Sequence, residues 1–201
     1  MLREAPLIMI SSDDNNQSVL EELHPGSKKL YIIFGGMAGR LGIPPFEFYN
    51  STKILEENKL FLKDFSQSWY QSGLMGVADD FYGMLAFLKE RIQVISPDQL
   101  YFIGNSMGAY AAILCASCLG HGQVIAFVPP TVISPFKRLA CGDRRYVLRA
   151  LWLCLKHRLK GIEGIYDLRD HMKQHPGDYR VDIHVSRFTA ADYQQAMRLA
   201  D

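Results

Sequence analysis

One pentapeptide carries the clearest indication of chemistry in this sequence. Gly104-Asn105-Ser106-Met107-Gly108 fits the pattern Gly-x-Ser-x-Gly, in which a strand turns sharply into a helix and a nucleophilic serine projects from the turn. Apolar residues precede it, and small residues compatible with a helix follow it. A hydroxyl placed there would attack a carbonyl carbon, and the N–H of Met107 at the start of the helix would stabilise the oxyanion. The alternative is that Ser106 is the N-cap of a buried helix.

A second glycine-rich turn offers the other oxyanion donor that such a serine needs. Gly35 and Gly36 follow the apolar run 30–34, so we expect the N–H of Gly36 or of Met37 to face the serine. A nucleotide-binding loop is disfavoured, because "GGMAGRLG" lacks the Gly-x-Gly-x-x-Gly spacing and the Lys-Ser/Thr of a P-loop. An ordinary flexible loop is the other interpretation.

Short apolar runs alternate with longer helix-compatible segments along the chain. Several of the runs are apolar on both faces, which is typical of strands buried in a parallel sheet between helices. We therefore predict an α/β fold, a three-layer αβα sandwich with a mostly parallel sheet, in a single domain over residues 1–201. The predicted strands are 30–34, 60–62, 100–103, 124–128 and 181–185, and the predicted crossover helices lie within 45–58, 77–92 and 108–120.

Composition argues against several classes of protein. A formal net charge of +1 over 201 residues disfavours bulk attraction to nucleic acid. The four cysteines lie in apolar or helix-like stretches of a chain too large to need a disulfide scaffold, so we expect reduced thiols. No run reaches the roughly 18 apolar residues of a membrane span, and the N-terminal apolar run is shorter than the core of a signal peptide. We expect a cytoplasmic protein without a metal or cofactor.

The charge is unevenly distributed along the chain. Residues 137–160 contain eight Lys or Arg and a single acidic residue, a net charge of +7, whereas the rest of the chain carries −6. Apolar residues recur there at helical spacing, which predicts an amphipathic helix within a cap-like insertion over residues 131–175. Its cations would either extend into solvent or bind an anionic substrate, a surface glycan or a phospholipid headgroup. The apolar positions are Leu148, Leu151, Trp152, Leu155 and Leu159.

Four segments together resemble bacterial α/β-hydrolase-fold proteins, namely "FGGMAGRLGIPPFEF", "LFLKDFSQSWYQSGL", "YFIGNSMGAYAAIL" and "AFVPPTVISPFKR". They span most of residues 30–138. The resemblance implies that Ser106 is the nucleophile and that Gly36, Met37 and Met107 form the oxyanion hole. It also implies a pocket mouth lined by "SWYQSGL" and "PPTVISPF". The residues expected to bind substrate are Trp69, Tyr70 and Arg138.

The acid of a Ser-Asp-His triad has one candidate. The order on this fold is serine, acid, histidine, and Asp192 follows the last predicted strand and precedes a helix, where the resemblance places the acid. The competing interpretation is that Asp192 belongs to the first turn of that helix, where a carboxylate favours the helix dipole without any catalytic task.

The triad histidine is the difficulty, because all six histidines precede Asp192 and only nine residues follow it. The resemblance implies a further strand and a histidine-bearing loop. The open interpretations are a shortened version of a longer protein, a base from elsewhere, or a domain that is not a competent hydrolase. His184 is the best internal substitute, although its position within a strand favours a structural role. His171 and His175 have metal-compatible spacing but lack the glutamate of a zinc-protease helix, which favours a solvated helix face.

Taken together, these features predict a serine hydrolase, an esterase or acyl-group hydrolase that works through an acyl-enzyme on Ser106. Its substrate would be a small-molecule or glycan ester, and an anionic one if the basic stretch recruits it. The alternative is a non-catalytic member of the same fold that binds a small ligand or a protein partner in the pocket. Because a serine hydroxyl is a poor nucleophile without a positioned base, we expect little turnover from this chain.

Overall fold

The sheet of this protein is mixed and mostly parallel. The computed structural model describes residues 17–37 and 46–200, and in it six strands lie in the order β1-β3-β2-β4-β5-β6. β1 runs antiparallel to β3, and the other neighbouring pairs are parallel. This confirms the predicted α/β class. The strands are β1 (Val19–Glu22), β2 (Lys29–Phe34), β3 (Asn58–Leu62), β4 (Gln99–Asn105), β5 (His121–Phe127) and β6 (Asp178–His184).

Five of these strands coincide with predicted apolar runs. The strand β1 is not predicted by the sequence pattern, because Val-Leu-Glu-Glu shows no alternation of apolar and polar residues. It forms because its backbone pairs with the fully buried edge of β3. The N-terminal apolar run and residues 38–45 of the glycine-rich loop lie outside the described residues.

Two long helices cross over between parallel strands as predicted. They are α1 (Phe81–Ile95) and α2 (Met107–Leu119). Asp80 begins α1 by accepting the N–H of Gly83. Most of the residues of α2 are buried, because this helix packs on β2, β4 and β5 and is covered in turn by later elements. The larger hydrophobic core fills the space between the sheet and these helices.

The helix predicted within 45–58 is wrong over its described part. Residues 47–54 form successive turns, because Phe48 has φ +63°, which interrupts a right-handed helix. Thr52 Oγ1 donates to the carbonyl of Phe48, and Lys59 Nζ donates to the carbonyl of Thr52. The turns pack Phe46 against Phe61 in a smaller core on the other face of the sheet.

Three helices lie between β5 and β6, in the stretch predicted as a cap-like insertion. They are α3 (Pro135–Ala140), α4 (Val147–Lys160) and α5 (Leu168–Gln174), and α6 (Ala190–Met197) follows β6. Gln195 of α6 forms hydrogen bonds with Thr131 and Val132, at the start of this stretch. Its Oε1 accepts the N–H groups of Thr131 and Val132, and Thr131 Oγ1 donates to its carbonyl at 2.7 Å. The last helix therefore supports the segment that leads into α3.

Candidate active site

Ser106 stands at a sharp turn between β4 and α2. Its backbone has φ 49° and ψ −114°, a conformation that non-glycine residues rarely adopt and that stores strain. A Cβ on Gly104 would lie 2.3 Å from the carbonyl oxygen of Gly108, and a Cβ on Gly108 would lie 2.2 Å from that of Phe34. Both neighbours are main chain. The two glycines are therefore required by sterics, and they let the strand and helix approach closely enough to hold Ser106 out from the turn.

The Ser106 side chain does not cap the helix that it precedes. It makes no side-chain hydrogen bond to α2, which removes the N-cap interpretation. Its own N–H donates to the carbonyl of Phe127 at 2.8 Å, and its carbonyl accepts the N–H of Tyr110. The backbone is thus held on both sides while the hydroxyl stays uncommitted to the helix. Met107 is the first residue of α2, where backbone N–H groups lack intrahelical partners and stabilise a nearby negative charge.

A small cavity of about 80 Å³ brings Ser106 together with residues distant in sequence. Five of the residues singled out from the sequence contribute to it, from the loop after β2, the turn before α1, the elbow, α3 and α6. Its described lining consists of Met37, Trp69, Ser106, Val128, Pro130, Arg138, Arg145, Tyr146 and Asp192.

Asp192 lies in the first turn of α6 and is bound to an arginine in the wall of this cavity. Arg145 Nη2 contacts Asp192 Oδ1 at 2.7 Å, and Arg145 Nε contacts Asp143 Oδ1 at 2.9 Å. The position of Asp192 is compatible with both interpretations, helix-dipole stabilisation and a catalytic acid, because it lies in the first turn of a helix and also lines the cavity beside Ser106. The hydrogen bonds that Arg145 donates to Asp143, and then to Asp192, raise the pKa of Arg145 above its ordinary value.

Arg138 is the buried member of the same ionic network. Its side chain is 2% exposed, and its Nη2 contacts Asp143 Oδ2 at 2.6 Å. Burial lowers the pKa of Arg138, although Asp143 opposes this shift. Burial alone would raise the pKa of Asp143, but Arg145 and Arg138 outweigh it and the pKa lies below its ordinary value. Among the described residues, Arg138 Nε is buried without a hydrogen-bond partner.

Trp69 and Tyr70 belong to a turn that a buried carboxylate organises. Asp64 Oδ2 accepts the N–H groups of Ser68 and Tyr70, and both Trp69 and Tyr70 have positive φ. Burial raises the pKa of Asp64, and these hydrogen bonds offset the shift only in part. The strained turn aims the Trp69 side chain at the serine cavity.

Tyr70 does not line the described cavity, contrary to its expected role in substrate binding. Its side chain is fully buried, and its hydroxyl donates toward the carbonyls of Gly35 and Leu62 at 3.0 and 2.9 Å. Tyr70 therefore fixes the backbone at the end of β2, next to the predicted oxyanion loop, instead of contacting a ligand.

The predicted oxyanion donor Gly36 is already occupied by a carboxylate. Its N–H donates to Glu47 Oε2 at 2.5 Å, and Asn105 Nδ2 donates to Glu47 Oε1 at 2.7 Å. In this arrangement the Gly36 N–H is not available to a substrate. Sequence reasoning missed Glu47, which lies 11 residues from Gly36 and 58 from Asn105. Its position within the predicted helical segment 45–58 gave no signal of this contact.

None of the described residues that line the serine cavity is a histidine. His184 is exposed and stacks on Phe127, with ring centroids 5.0 Å apart. His157 Nδ1 lies 2.8 Å from the hydroxyl of Tyr166. His171 stacks on His175 and contacts Cys118, and burial, followed by the charge of His175, lowers its pKa to about 4.

Comparisons with known proteins give the fold but no close relative. No protein-family model matches the chain, and no curated protein matches it. A capsule O-acetyltransferase of Neisseria meningitidis serogroup A, a mutant solved in complex with CoA, superposes with a TM-score of 0.66 at 14% identity, over 94% of this chain and 78% of that one. Carboxyl esterase 2 from the fungus Tuber melanosporum gives a TM-score of 0.53 at 14% identity, over 90% of this chain and 66% of that one. The chain has an α/β-hydrolase-like fold. At 14% sequence identity, these superpositions establish the fold alone.

Proposed function

We propose that this protein is a serine hydrolase, an esterase or acyl-group hydrolase that forms an acyl-enzyme on Ser106. The conformation of Ser106 carries the proposal. A serine held at φ 49° and ψ −114° without a capping hydrogen bond costs about 1–3 kcal/mol of backbone strain, which a helix cap would not require. The esterase and O-acetyltransferase folds that superpose on the chain support acyl transfer as the reaction class.

In the proposed reaction, Ser106 Oγ forms a bond to the acyl carbon of an ester while its proton passes to a base. The carbonyl oxygen becomes an oxyanion that the N–H of Met107, and of Met37 from the cavity wall, would stabilise. Collapse of this intermediate breaks the bond to the leaving alcohol, which takes up a proton. Water then cleaves the acyl-enzyme. A hydroxyl of a small molecule or a glycan would replace water in an acyl-transfer reaction.

The substrate would enter the cavity beside Arg138 and Trp69. Arg138 lines this cavity, and a guanidinium suits a polar or anionic group of the substrate. Trp69 supplies an apolar wall. The two aspartates of the ionic network offset both arginines, so the described wall attracts an anion by directed hydrogen bonds more than by net charge.

A second candidate function is binding without turnover. It is favoured by the contact of Arg145 with Asp192 and of Glu47 with the Gly36 N–H, which occupy two groups that catalysis would use. General-base assistance contributes about 10²- to 10⁴-fold, and triad members act as a unit. Hydrolysis by this chain should therefore be slow even with the elbow intact.

Reaction with a fluorophosphonate tests the nucleophile directly. We expect intact-mass analysis to show one adduct on the full chain and none on Ser106→Ala. Ser134→Ala is a matched control, because Ser134 lines a different cavity, and it should be labelled at the wild-type rate. Equal labelling of Ser106→Ala and the wild type would remove Ser106 from the chemistry.

Turnover of p-nitrophenyl acetate then separates the two functions. Labelled protein that also releases p-nitrophenol over many turnovers is a hydrolase. Labelled protein whose release stops after about one equivalent forms an acyl-enzyme without completing the cycle. If neither labelling nor release occurs, the binding function is the one supported.

A further inference from the structure

Helix α4 presents an apolar stripe to solvent. Its inward face is formed by Ala150, Leu153 and His157, all buried. The opposite face has side chains that are exposed by 53–82%, although large apolar residues gain most from burial. Their spacing of four, three and four residues places them in one line along the helix. The stripe consists of Leu148, Trp152, Leu155 and Leu159.

Basic residues flank the stripe on both sides, and α4 contains no acidic residue. At 100° per residue, Arg158 lies on one side of the stripe, and Arg149, Lys156 and Lys160 lie on the other. None of these four forms an ion pair with a carboxylate among the residues that the structure describes. Lys156 Nζ lies 5.4 Å from the centre of the Trp152 ring, so a cation sits directly at the edge of the apolar stripe.

The flanking charge decides which occupant fits the stripe. The same spacing would suit a paired helix from a second copy, but two copies would bring rows of like charge together, which is destabilising. An anionic surface that is apolar beneath satisfies both features. Leucine and tryptophan side chains enter the boundary between headgroups and acyl chains, while arginine and lysine reach the phosphates.

We propose that the outward face of α4 binds an anionic lipid bilayer, with the helix lying in the plane of the interface. No described helix is long and apolar enough to cross a bilayer. This proposal does not depend on hydrolytic activity. The arrangement matches an interfacial helix, which has an apolar face bearing tryptophan and leucine and a polar border rich in lysine and arginine.

The two tryptophans make the proposal measurable in the full chain. Trp69 is 1% exposed and Trp152 is 60% exposed, so a change in emission on adding vesicles reports on Trp152. We expect a blue shift and co-sedimentation with vesicles of phosphatidylcholine containing phosphatidylglycerol, and neither effect with phosphatidylcholine alone. Binding should weaken as salt shortens the Debye length from about 10 to 3 Å.

Two variants separate the apolar and the charged contributions. Leu148→Glu with Leu159→Glu should abolish co-sedimentation, and these side chains are 82% and 79% exposed, so the fold should be retained. Val94→Glu, at a 58% exposed position on α1, is the matched control and should bind like the wild type. Arg158→Gln with Lys160→Gln should weaken binding about 25-fold, since each basic residue near an anionic surface contributes about fivefold.

The proposal is overturned if the wild type does not bind the anionic vesicles or binds both vesicle types equally. It is also overturned if the protein forms a dimer that Leu148→Glu with Leu159→Glu dissociates, because the stripe would then be the contact between two copies.

Discussion

The serine side and the acid side of the candidate site are built in different ways. The elbow is a local structure in which Gly104, Ser106 and Gly108 are held by contacts with the ends of β2 and β5. The acid side is assembled from α3, the segment before α4, and α6, through an ionic network centred on Asp143. At the elbow, the strained backbone of Ser106 leaves its side chain without a capping hydrogen bond. On the acid side, the Asp192 carboxylate is paired with Arg145.

This difference indicates which half of the site is ready for chemistry. At the elbow, no helix-capping bond competes for the Ser106 hydroxyl. On the acid side, Arg145 must release or share Asp192 before that carboxylate can orient a base. Three variants probe the two halves separately.

The largest effect is expected at the elbow. Gly108→Ala would place a Cβ 2.2 Å from the carbonyl oxygen of Phe34, and main chain cannot move aside as a flexible side chain can. We expect the free energy of unfolding to fall by more than about 4 kcal/mol, an exceptional value for one methyl group. Urea unfolding followed by circular dichroism measures the change.

Gly161→Ala is the control for replacing a glycine where a Cβ meets no close neighbour. Gly161 has φ +66° with no atom within 4 Å of a Cβ. The free energy of unfolding of Gly161→Ala should therefore fall by only about 1 kcal/mol. Similar losses of stability in both variants would contradict the steric explanation for Gly108, which does not have the positive φ of Gly161.

A substitution on the acid side should lower the free energy of unfolding by less than Gly108→Ala does. Asp143→Asn leaves the buried Arg138 without its charged partner, and breaking a buried pair in this way costs about 3 kcal/mol. Asp182→Asn is the control, because its pair with Arg180 is exposed and should be worth less than about 1 kcal/mol. Chemical unfolding at neutral pH compares the two.

The pH dependence of the same variant gives an internal check. The pKa of Asp143 is lowered by folding from an ordinary value of 3.8, so the unfolded chain binds the proton more readily. The stabilisation is complete above about pH 4 and is lost as the pH falls through the folded pKa. The difference in free energy of unfolding between the wild type and Asp143→Asn should therefore narrow below pH 3.8. A gap that stays constant would mean that Asp143 acts through packing.

The smallest of the three effects concerns Glu47, the carboxylate that accepts hydrogen bonds from Gly36 and Asn105 on the serine side. Glu47→Ala frees the Gly36 N–H and removes a negative charge from the oxyanion side. Fluorophosphonate labelling of Ser106 should accelerate about tenfold, a part of the roughly 10²- to 10³-fold that one oxyanion donor contributes. Glu56→Ala, at an exposed position, should leave the rate unchanged. A slower Glu47→Ala would instead make Glu47 a support for the loop.

The sequence predicts the elbow well because all of its requirements lie within a few contiguous residues. Gly104, Ser106 and Gly108 follow a buried strand and begin a buried helix, and each part has its own local signal. The apolar runs locate five strands for the same reason, since burial on both faces leaves a mark on the residue types themselves.

The rest depends on contacts between distant segments, which residue types do not specify. Glu47 meets Asn105 across 58 positions, and Arg145 meets Asp192, which belongs to α6 near the other end of the described chain. The periodicity of α4 predicts an apolar stripe but not that Leu148 and Leu159 face solvent. A single positive φ at Phe48 replaces the predicted helix after residue 45 with turns.

The hydrogen bonds between Thr131 and Gln195 also convert the chain between them into a closed ring. The two residues are 64 positions apart, and holding the ends of a flexible loop of that length together costs about 4 kcal/mol of chain entropy. Contacts inside the ring, such as Arg145 with Asp192, form at little further entropic cost once it is closed. A single backbone cut between β6 and α6 would open the ring, and the wall of the serine cavity would then have to assemble from two separate polypeptides.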